Sequence, residues 1–375
     1  MARARAETGI DIVDEDIAEP LARMIASLNA DAALSQAGAI AMEARLLRIL
    51  TNRLRMERDF RAHPEIADQP IVKPLFLTGI GRSGSTKLHK LIAASGDFKF
   101  TNFWQTHTLA LRTGDRAEDP APRIAESRAY IDWVDRTSPD VRLIHSYDLF
   151  EPEEESLIFE FCLFQPPIVI FANVTSYLQW YATQDFGDQL RFLKRAIQYL
   201  QWQFHDGDPR PWVLKCPIYP GFEHRLVEVF PDARMVATHR NPVASMPSMA
   251  SLWVAFLKLY SDVEDPAAVG AAMLAGQTQV MRNHLAVRAA HPDLPILDVG
   301  YGELMRDSGA VMEKIYAHAG LPFTDAVRAA AGRWEGDNAQ HKHGAHRYDA
   351  SDFGLGAALV EERWRPYLDR YRDYL

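Results

Sequence analysis

The 375-residue sequence has few cysteines, no long apolar run and no excess of basic residues. Its two cysteines, Cys162 and Cys216, are too few for a disulfide framework or a cysteine-based zinc site. The most apolar stretch, residues 157–174, contains a glutamate and two adjacent prolines, which is more typical of buried core than of a bilayer span of about 20 apolar residues. The N-terminus lacks the apolar segment of a secretory signal. We therefore expect a cytoplasmic protein without a membrane span.

Acidic residues outnumber basic ones, since 50 Asp and Glu against 41 Lys and Arg give a net charge of −9 at pH 7. General duplex binding depends on a basic face that neutralises phosphates, so we expect no nucleic-acid partner. A small anionic ligand needs only a local basic pocket, and that possibility stays open. The remaining composition, 47% hydrophobic and 24% charged, is typical of a folded globular chain.

Apolar spacing predicts helices and strands in alternation. Residues 15–60 carry apolar side chains at helical spacing and predict a helical segment that ends near His63. Short apolar runs then alternate with helical stretches, which is typical of a parallel sheet covered on both faces. The expected strands are 74–78, 212–215, 233–239 and 295–299, and the expected helices are 85–94, 242–259 and 308–319. Residues 100–210 have a mostly helical pattern.

A glycine-rich turn between the first strand and the next helix has the spacing of a nucleotide P-loop. It reads Gly79-Ile-Gly-Arg-Ser-Gly84-Ser-Thr86. Ser85 stands where P-loop ATPases carry the lysine that reaches the β- and γ-phosphates, which argues against triphosphate hydrolysis. The turn keeps backbone N–H groups at a helix N-terminus, three hydroxyls and the guanidinium of Arg82, which together suit phosphate or sulfate. The alternative is a structural glycine turn without a ligand.

A second anion site is predicted beside this turn. The strand that ends at His239 is followed by Arg240, and Ser248 lies two helical turns further on. This spacing places both residues at the edge where open α/β sheets bind ligands. Two anion sites, without a P-loop lysine or metal-binding carboxylates, indicate a nucleotide that carries groups on both its 3′ and 5′ sides.

These motifs resemble the sulfotransferase superfamily, which uses 3′-phosphoadenosine 5′-phosphosulfate (PAPS) and needs no metal. The resemblance is strongest to the bacterial branch whose loop reads G-x-x-R-[ST]-G-[ST]-[TS], and it runs from about His63 to Tyr374. The residues that it implies for the 5′-phosphosulfate are Arg82, Ser83, Gly84, Ser85 and Thr86. Those that it implies for the 3′-phosphate are Arg240 and Ser248.

Three further segments are similar to motifs of this superfamily. Tyr301 matches the tyrosine of Y-E-D-[LM], which faces adenine. Lys215 matches the lysine of L-K-[ST]-P, and the resemblance implies that it stabilises developing charge together with Arg82. The C-terminal segment looks like H-x-Y-S-L-E-D-F-G-L, which implies that Lys342 and Arg347 close over the nucleotide.

The element pattern and the resemblance together predict an α/β fold. We expect a P-loop NTPase-like parallel sheet flanked by helices, with a helical N-terminal extension over residues 1–70. Residues 71–375 are expected to form a single sulfotransferase-like α/β domain, in which 100–210 are a helical region on the acceptor side.

The general base for the acceptor is absent from the positions where the family usually has one. Cytosolic members carry a histidine at the position of Pro217, and bacterial members often place a histidine at Tyr219 and a glutamate at Gln105. The remaining candidates are His145, Glu154 and His107, since a base must titrate near the working pH. We favour His145 as a catalytic residue because it precedes an acidic run in the manner of the family's H-x(n)-E-E segment.

Three functions remain open on this basis. The first is a PAPS-dependent sulfotransferase, a transferase that acts on the hydroxyl or amine of a small molecule. The second is a P-loop kinase or NTPase, against which Ser85 and the pair Arg240 and Ser248 argue. The third is a protein that binds PAPS or its product 3′-phosphoadenosine 5′-phosphate (PAP) and has lost catalysis, as the missing base suggests.

The acceptor is the least defined partner in the sequence. The aromatic-rich stretch 159–204 is either core or the lining of a pocket for an apolar or aromatic acceptor. A histidine cluster at 341, 343 and 346 suits a phosphate-facing loop better than a zinc site, so no metal is expected. The sequence leaves the oligomeric state open.

Overall fold

A computed structural model describes residues 1–145, 147–163, 168–263, 265–338 and 348–375. Its strands are β1 (Leu75–Gly79), β2 (Val213–Lys215), β3 (Arg234–His239) and β4 (Ile296–Gly300). Its α-helices are, in chain order, α1 (Ala2–Thr8), α2 (Ala18–Ala30), α3 (Gln36–Ala62), α4 (Ser85–Ala94), α5 (Phe103–His107), α6 (Ala121–Thr137), α7 (Pro139–Ile144), α8 (Ser156–Phe159), α9 (Ile168–Phe171), α10 (Thr175–Tyr181), α11 (Gly187–Phe204), α12 (Glu223–Val229), α13 (Pro242–Leu257), α14 (Pro266–Ala290), α15 (Tyr301–Arg306), α16 (Ser308–Ala319), α17 (Asp325–Asp337) and α18 (Ala357–Arg370).

The four strands form one parallel sheet in the order β2-β1-β3-β4. Leu75 of β1 lies opposite Val213 of β2 on one side and Arg234 of β3 on the other, and Met235 lies opposite Ile296 of β4. Parallel neighbours need long crossovers, and helices connect each strand to the next along the chain. The predicted α/β fold, with a parallel sheet flanked by helices, is confirmed.

The strands form because they are continuous apolar runs. Residues 75–77 of β1 are fully buried, as expected for a strand of a parallel sheet whose two faces are covered. Leu88 and Leu91 of α4 pack in the same core as β1. Burying each leucine side chain contributes about 1.5–3 kcal/mol, so this core holds α4 against β1.

Local signals set the ends of the helices that frame the sheet and the N-terminal segment. The predicted helix 85–94 is observed as α4, and the helical segment predicted over residues 15–60 is observed as two helices, α2 and α3. The N-cap of α3 is Ser35, whose Oγ accepts a hydrogen bond from the Gly38 N–H at 3.0 Å. The helix ends at Ala62, two residues before Pro64, as the sequence predicts.

The chain divides into two compact units. The helical unit comprises Met1–Pro70, Asn102–Asp208 and Ala255–Glu264, and the sheet unit comprises Ile71–Thr101, Pro209–Val254 and Asp265–Leu375. The end of the predicted N-terminal extension coincides with the first border between the units. Residues 1–70, however, group with 102–208 rather than standing apart.

Contacts within the helical unit give the physical reason for this grouping. Arg45 and Arg48 of α3 both pair with Glu160, and Arg53 donates to the carbonyl of Phe161 at 2.9 Å. These buried ion pairs and hydrogen bonds join segments that are far apart in the sequence. Throughout the described ranges, no helix is both long enough and apolar enough to span a bilayer.

Candidate active site

The turn from β1 to α4 has backbone angles that few residue types adopt. Gly79 and Gly84 have φ values of 122° and 87°, and Arg82 has a φ of 67°, in the region that L side chains rarely occupy. A Cβ on Gly79 would lie 2.4 Å from the backbone oxygen of Thr238, and one on Gly84 would lie 3.0 Å from Cδ2 of Tyr301. A side chain at either position would therefore clash with these neighbours, so both positions require glycine. Arg82 adopts a strained backbone conformation of the kind that clusters at functional sites.

The N-terminus of α4 offers donors to an anion. Gly84 is its N-cap, so the N–H groups of the first turn have no partner within the helix. The helix dipole adds partial positive charge at the same place. Ser85 is half-buried and Thr86 is exposed, so both residues are accessible to a ligand at these N–H groups.

Ser83 has a different role from its neighbours in the turn. Its Oγ is fully buried, 2.5 Å from the carbonyl oxygen of Ile80 and 2.7 Å from Oγ1 of Thr238. The hydroxyl thus ties the turn to β3. Any contribution of Ser83 to anion binding comes from its backbone.

Residues predicted for the two phosphate sites lie in direct contact. Arg82 Nε donates to Ser248 Oγ at 3.0 Å, and Arg240 Nη1 donates to the carbonyl oxygen of Arg82 at 2.7 Å. The Arg240 guanidinium also lies over the ring of Tyr301, 4.1 Å from its centroid. The turn, the beginning of α13 and the beginning of α15 therefore converge around two guanidinium groups.

Lys215 adds a third cation at the same edge of the sheet. It is the last residue of β2, it is buried, and its Nζ lies 3.2 Å from Oγ1 of Thr86. Lys215, the turn after β1 and Arg240 after β3 all follow the carboxyl ends of parallel strands, where ligands bind in open α/β sheets. This arrangement is suited to a ligand with several negative charges.

The sequence model of the sulfotransferase family matches residues 74–325. The chain belongs to the sulfotransferase family. It is 23% identical over 320 residues to the omega-hydroxy-beta-dihydromenaquinone-9 sulfotransferase Stf3 of Mycobacterium bovis, a match that covers 83% of this chain and 76% of that protein. Among solved structures, sulfotransferase STF9 of Mycobacterium avium has a TM-score of 0.84 at 23% identity, with 98% of this chain and 95% of that one covered. STF1 of Mycobacterium tuberculosis has a TM-score of 0.79 at 25% identity, with 97% of each chain covered. The predicted superfamily is confirmed, and these two structures share the fold.

In this sulfotransferase, Arg240 directly follows a buried histidine whose two ring nitrogens are both engaged. His239 Nε2 lies 2.9 Å from Oδ1 of Asp298, and Nδ1 lies 3.1 Å from the hydroxyl of Tyr367. The ring stacks on Tyr371 with 3.9 Å between centroids. These contacts hold the end of β3, from which Arg240 projects.

Asp298 of β4 is the charged centre of this cluster. Arg288 donates to both of its carboxylate oxygens at 2.9 Å. Burial alone would raise the pKa of Asp298, but hydrogen bonds from His239 and Arg288 lower it to about 2. Burial lowers the pKa of His239, so its imidazole is neutral at pH 7. Our sequence reasoning missed this cluster, and the signal for it is a lone aspartate inside an apolar strand.

His145, the favoured base of the sulfotransferase, belongs to the helical unit. It follows α7, and its Nε2 lies 3.6 Å from Oε1 of Glu153, which is beyond hydrogen-bond distance. Its ring meets Tyr147 edge-on with 4.9 Å between centroids. The alternatives His107 and Glu154 belong to the same unit, and a catalytic role for any of the three stays a prediction.

Two of the positions at which other family members carry a base have structural roles here. Gln105 forms a capping box at the start of α5, in which its Oε1 accepts from the Asn102 N–H and Asn102 Oδ1 accepts from the Gln105 N–H, each at 3.2 Å. Tyr219 is fully buried and meets the ring of Phe76 edge-on at 5.3 Å. Neither side chain is placed as a base.

Two predicted nucleotide ligands of the sulfotransferase, Lys342 and Arg347, lie outside the described residues. The histidines at 341, 343 and 346 also lie outside them. Within the described ranges, no three His, Cys, Asp or Glu side chains group in a way that could hold a metal ion.

Proposed function

We propose that this sulfotransferase transfers the sulfuryl group of PAPS to a hydroxyl or amine of a small-molecule acceptor. Family membership supports sulfuryl transfer. The observation that carries the choice of donor is the contact between Arg82, Ser248 and Arg240 beside the glycine-rich turn. It offers two adjoining anion sites at one sheet edge, as a nucleotide with 3′ and 5′ groups requires.

In this proposal, the beginning of α4 and two cations act on the 5′-phosphosulfate. A bond forms from the acceptor to sulfur while the bond from sulfur to the 5′-phosphate oxygen breaks, giving PAP and a sulfated acceptor. The N–H groups of residues 84–86 donate to the leaving phosphate, and Lys215 and Arg82 stabilise its growing charge. Arg82 remains protonated, so it donates hydrogen bonds and transfers no proton.

In this proposal, the residues after β3 and at the beginning of α15 bind the 3′-phosphate and the adenine. Arg240 and Ser248 hold the phosphate, and Tyr301, which already packs against Arg240, faces the base. Lys342 and Arg347 close over the nucleotide in this proposal on the strength of the family resemblance alone. An arginine with a phosphate forms charge-assisted bonds, which are stronger than neutral ones.

For the acceptor, we propose a hydroxyl group on an apolar molecule, with His145 as the residue that takes its proton. The relative Stf3 is named for a hydroxylated menaquinone derivative, which supports this acceptor class. The proton must leave the attacking oxygen as the new bond forms, so a base within hydrogen-bond reach of the acceptor is required.

The test is calorimetric titration of the full chain with PAP and, separately, with ATP and Mg²⁺. We expect PAP to bind and Arg240→Ala to weaken it about 10- to 100-fold, since a hydrogen bond to a charged group contributes about 1.5–3 kcal/mol. Arg234→Ala is the matched control, because Arg234 is an exposed arginine at the opposite end of β3. Absence of PAP binding, or a preference for Mg-ATP, would sink the assignment and favour the kinase.

A second function, nucleotide binding without turnover, is favoured by one observation. Gln105 and Tyr219 occupy family base positions with side chains that cap a helix and fill the core. Release of PAP from PAPS in the presence of a panel of hydroxylated apolar compounds decides between the two. Tight PAP binding with no acceptor-dependent release would support the binding protein.

A further inference from the structure

The helical unit contains a cavity of about 290 Å³ beside α3. At roughly 30 Å³ per water in the liquid, this volume corresponds to about ten water molecules. It lies close to the lower end of the range of ligand pockets, about 300–1,000 Å³. The cavity therefore has room for a small organic molecule.

Small, aromatic and charged side chains line the cavity. Ala41 and Ala44 lie almost one turn apart on α3, and Tyr130 and Trp133 of α6 line the cavity with rings 5.7 Å apart. Ala44 is exposed, whereas Ala41, Tyr130 and Trp133 are half-buried. A flat apolar molecule that entered past Ala44 would pack against these rings.

Two buried polar atoms belong to residues that line the cavity. His107 is almost fully buried, with Nδ1 3.1 Å from the Ser127 hydroxyl. In the part of the chain that the structure describes, His107 Nε2 and Arg45 Nε are buried and make no hydrogen bond. Buried polar groups are nearly always satisfied, so a ligand that supplies a hydrogen-bond partner to each of these atoms would be favoured here. When Nδ1–H donates to Ser127, Nε2 is an acceptor, and Arg45 Nε–H is a donor.

The charges around these atoms define the chemistry of that partner. Arg45 and Arg48 share the carboxylate of Glu160, and Arg45 Nη1 donates to the hydroxyls of Tyr130 and Tyr260 at 3.0 and 2.9 Å. The arginine forks are therefore engaged, which leaves few donors for a carboxylate. Glu160 and the cavity-lining Glu126 offset the two arginine charges, so the cavity suits a neutral ligand better than an ion. Burial, reinforced by Arg48 and Arg45, holds the pKa of His107 well below its usual range. The ring is neutral at pH 7 and can accept a hydrogen bond from a neutral group.

We propose that this cavity binds a neutral aromatic molecule that carries a hydroxyl group. The hydroxyl donates to His107 Nε2, and its oxygen accepts from Arg45 Nε–H. One acceptor and one donor complement a single hydroxyl, while the rings of Tyr130 and Trp133 pack against the aromatic body. Every residue in this inference belongs to the helical unit, so it does not depend on the proposed function of the sheet unit.

The experiment uses 2-naphthol as the probe and 2-methoxynaphthalene, which lacks the hydroxyl proton, as the matched ligand. We expect saturable binding of 2-naphthol by calorimetry to the full chain. Ala44→Trp, at the mouth, should weaken binding more than tenfold, whereas Ala39→Trp, on an exposed position of α3 away from the cavity, should leave it unchanged. His107→Phe should weaken 2-naphthol about three- to tenfold, as expected for loss of one hydrogen bond, and His107→Gln should restore part of the affinity.

Circular dichroism and PAP binding show whether each variant is folded. No saturable binding of 2-naphthol, or binding that Ala44→Trp leaves unchanged, would overturn the proposal. An equal loss for both ligands in His107→Phe would overturn the hydroxyl contact.

A final arm adds PAPS and follows 2-naphthyl sulfate. Its formation, with a KM that rises in Ala44→Trp, identifies the ligand as the acceptor, and binding without sulfation, accompanied by a changed rate with another acceptor, identifies an effector. Both results support the site and distinguish its use. This arm requires PAPS to bind, whereas the calorimetric titration with 2-naphthol does not, so failure of the nucleotide proposal and failure of the cavity proposal are distinguishable.

Discussion

At the level of single residues, Gly84 is where conformation and contact coincide. It precedes α4 with a φ of 87°, and a Cβ there would lie 3.0 Å from Tyr301 and 3.2 Å from Leu304. Gly96, just after α4, has a similar φ of 82° with no heavy atom within 4 Å of the corresponding point. Comparing substitutions at these two glycines therefore distinguishes the cost of backbone strain, which both share, from the cost of a steric clash, which only Gly84 has.

We expect Gly84→Ala to weaken PAP binding at least tenfold and to lower the melting temperature more than Gly96→Ala does. Both variants bear the cost of a left-handed backbone, about 1 kcal/mol. Only Gly84→Ala pushes against Tyr301, which packs on Arg240. Calorimetry and thermal unfolding of the pair measure this, and equal losses in both variants would show that the contact with Tyr301 does not matter.

Lys215 is a single charge with a specific predicted effect on turnover. Lys215→Met keeps most of the buried stem and removes the cation beside Thr86, so we expect kcat to fall about 10²- to 10³-fold, as for loss of one transition-state donor. PAP affinity should change much less. Lys314→Met, which removes an exposed lysine paired with Glu303, is the control. A loss of PAP affinity as large as the loss of kcat would assign Lys215 to ground-state binding instead.

Residue types at the site could be predicted from the sequence, but their partners could not. The glycine-rich turn and Arg240 were identified from strand ends and spacing alone. Arg82 contacts Ser248 from a left-handed backbone conformation, and an arginine in the sequence does not predict that conformation. The composition of the turn suggests that the hydroxyl of Ser83 faces the ligand, whereas in the structure it bonds to Thr238.

At the level of elements, the cluster around Asp298 joins β3 and β4 to α14 and α18. His239 of β3, Arg288 of α14 and Tyr367 of α18 belong to it. The carboxylate of Asp298 has a pKa of about 2 in the folded chain, against about 3.9 when unfolded. A depressed carboxylate pKa stabilises the fold above the unfolded value and ceases to do so as pH falls toward the folded value.

We expect Asp298→Asn to lower the free energy of unfolding of the sheet unit by about 2 kcal/mol at pH 7, from the shift in pKa. The difference from wild type should narrow as pH falls from about 5 toward 2, because the unfolded chain binds a proton at Asp298 near pH 3.9 whereas the folded chain does so only near pH 2. Urea denaturation at several pH values measures both effects. Asp293→Asn, at an exposed aspartate before β4, is the control, and a gap that does not change with pH would contradict the ionic explanation.

Element positions could be predicted because they follow from local chemistry. Apolar runs gave β1, β2, β3 and β4 within one or two residues, and helical spacing gave α3, α4 and α16. The grouping of α3 with the 102–208 segment could not be predicted in this way. It depends on Glu160, which binds Arg45 and Arg48 from more than a hundred residues away, and an ion pair of that kind leaves no periodic pattern.

At the level of the whole molecule, the two units place the two proposed ligands in separate parts of the chain. The residues proposed to bind PAP that the structure describes belong to the sheet unit, and the cavity beside α3 belongs to the helical unit. A ligand at 100 times its Kd stabilises the folded state that binds it by about 2.7 kcal/mol. Each ligand should therefore slow opening of its own unit most strongly.

Hydrogen exchange measured by mass spectrometry tests this expectation. PAP should slow exchange most in peptides that cover 79–90 and 234–250, and 2-naphthol should slow it most in 36–62 and 103–137. Mg-ATP, which the nucleotide proposal disfavours, is the control ligand for the first pair. If PAP instead gave its largest protection in 36–62, the assignment of the nucleotide to the sheet unit would be wrong.

The capping box at α5 has an evolutionary consequence. Gln105 fills its N3 position, and a glutamate there accepts the same hydrogen bond from the Asn102 N–H. Glutamine and glutamate codons differ by a single base, so one point mutation would install a carboxylate at residue 105 while the helix keeps its start. Residue 105 can therefore change between an amide and a carboxylate in one mutational step, in either direction, while the cap of α5 is kept.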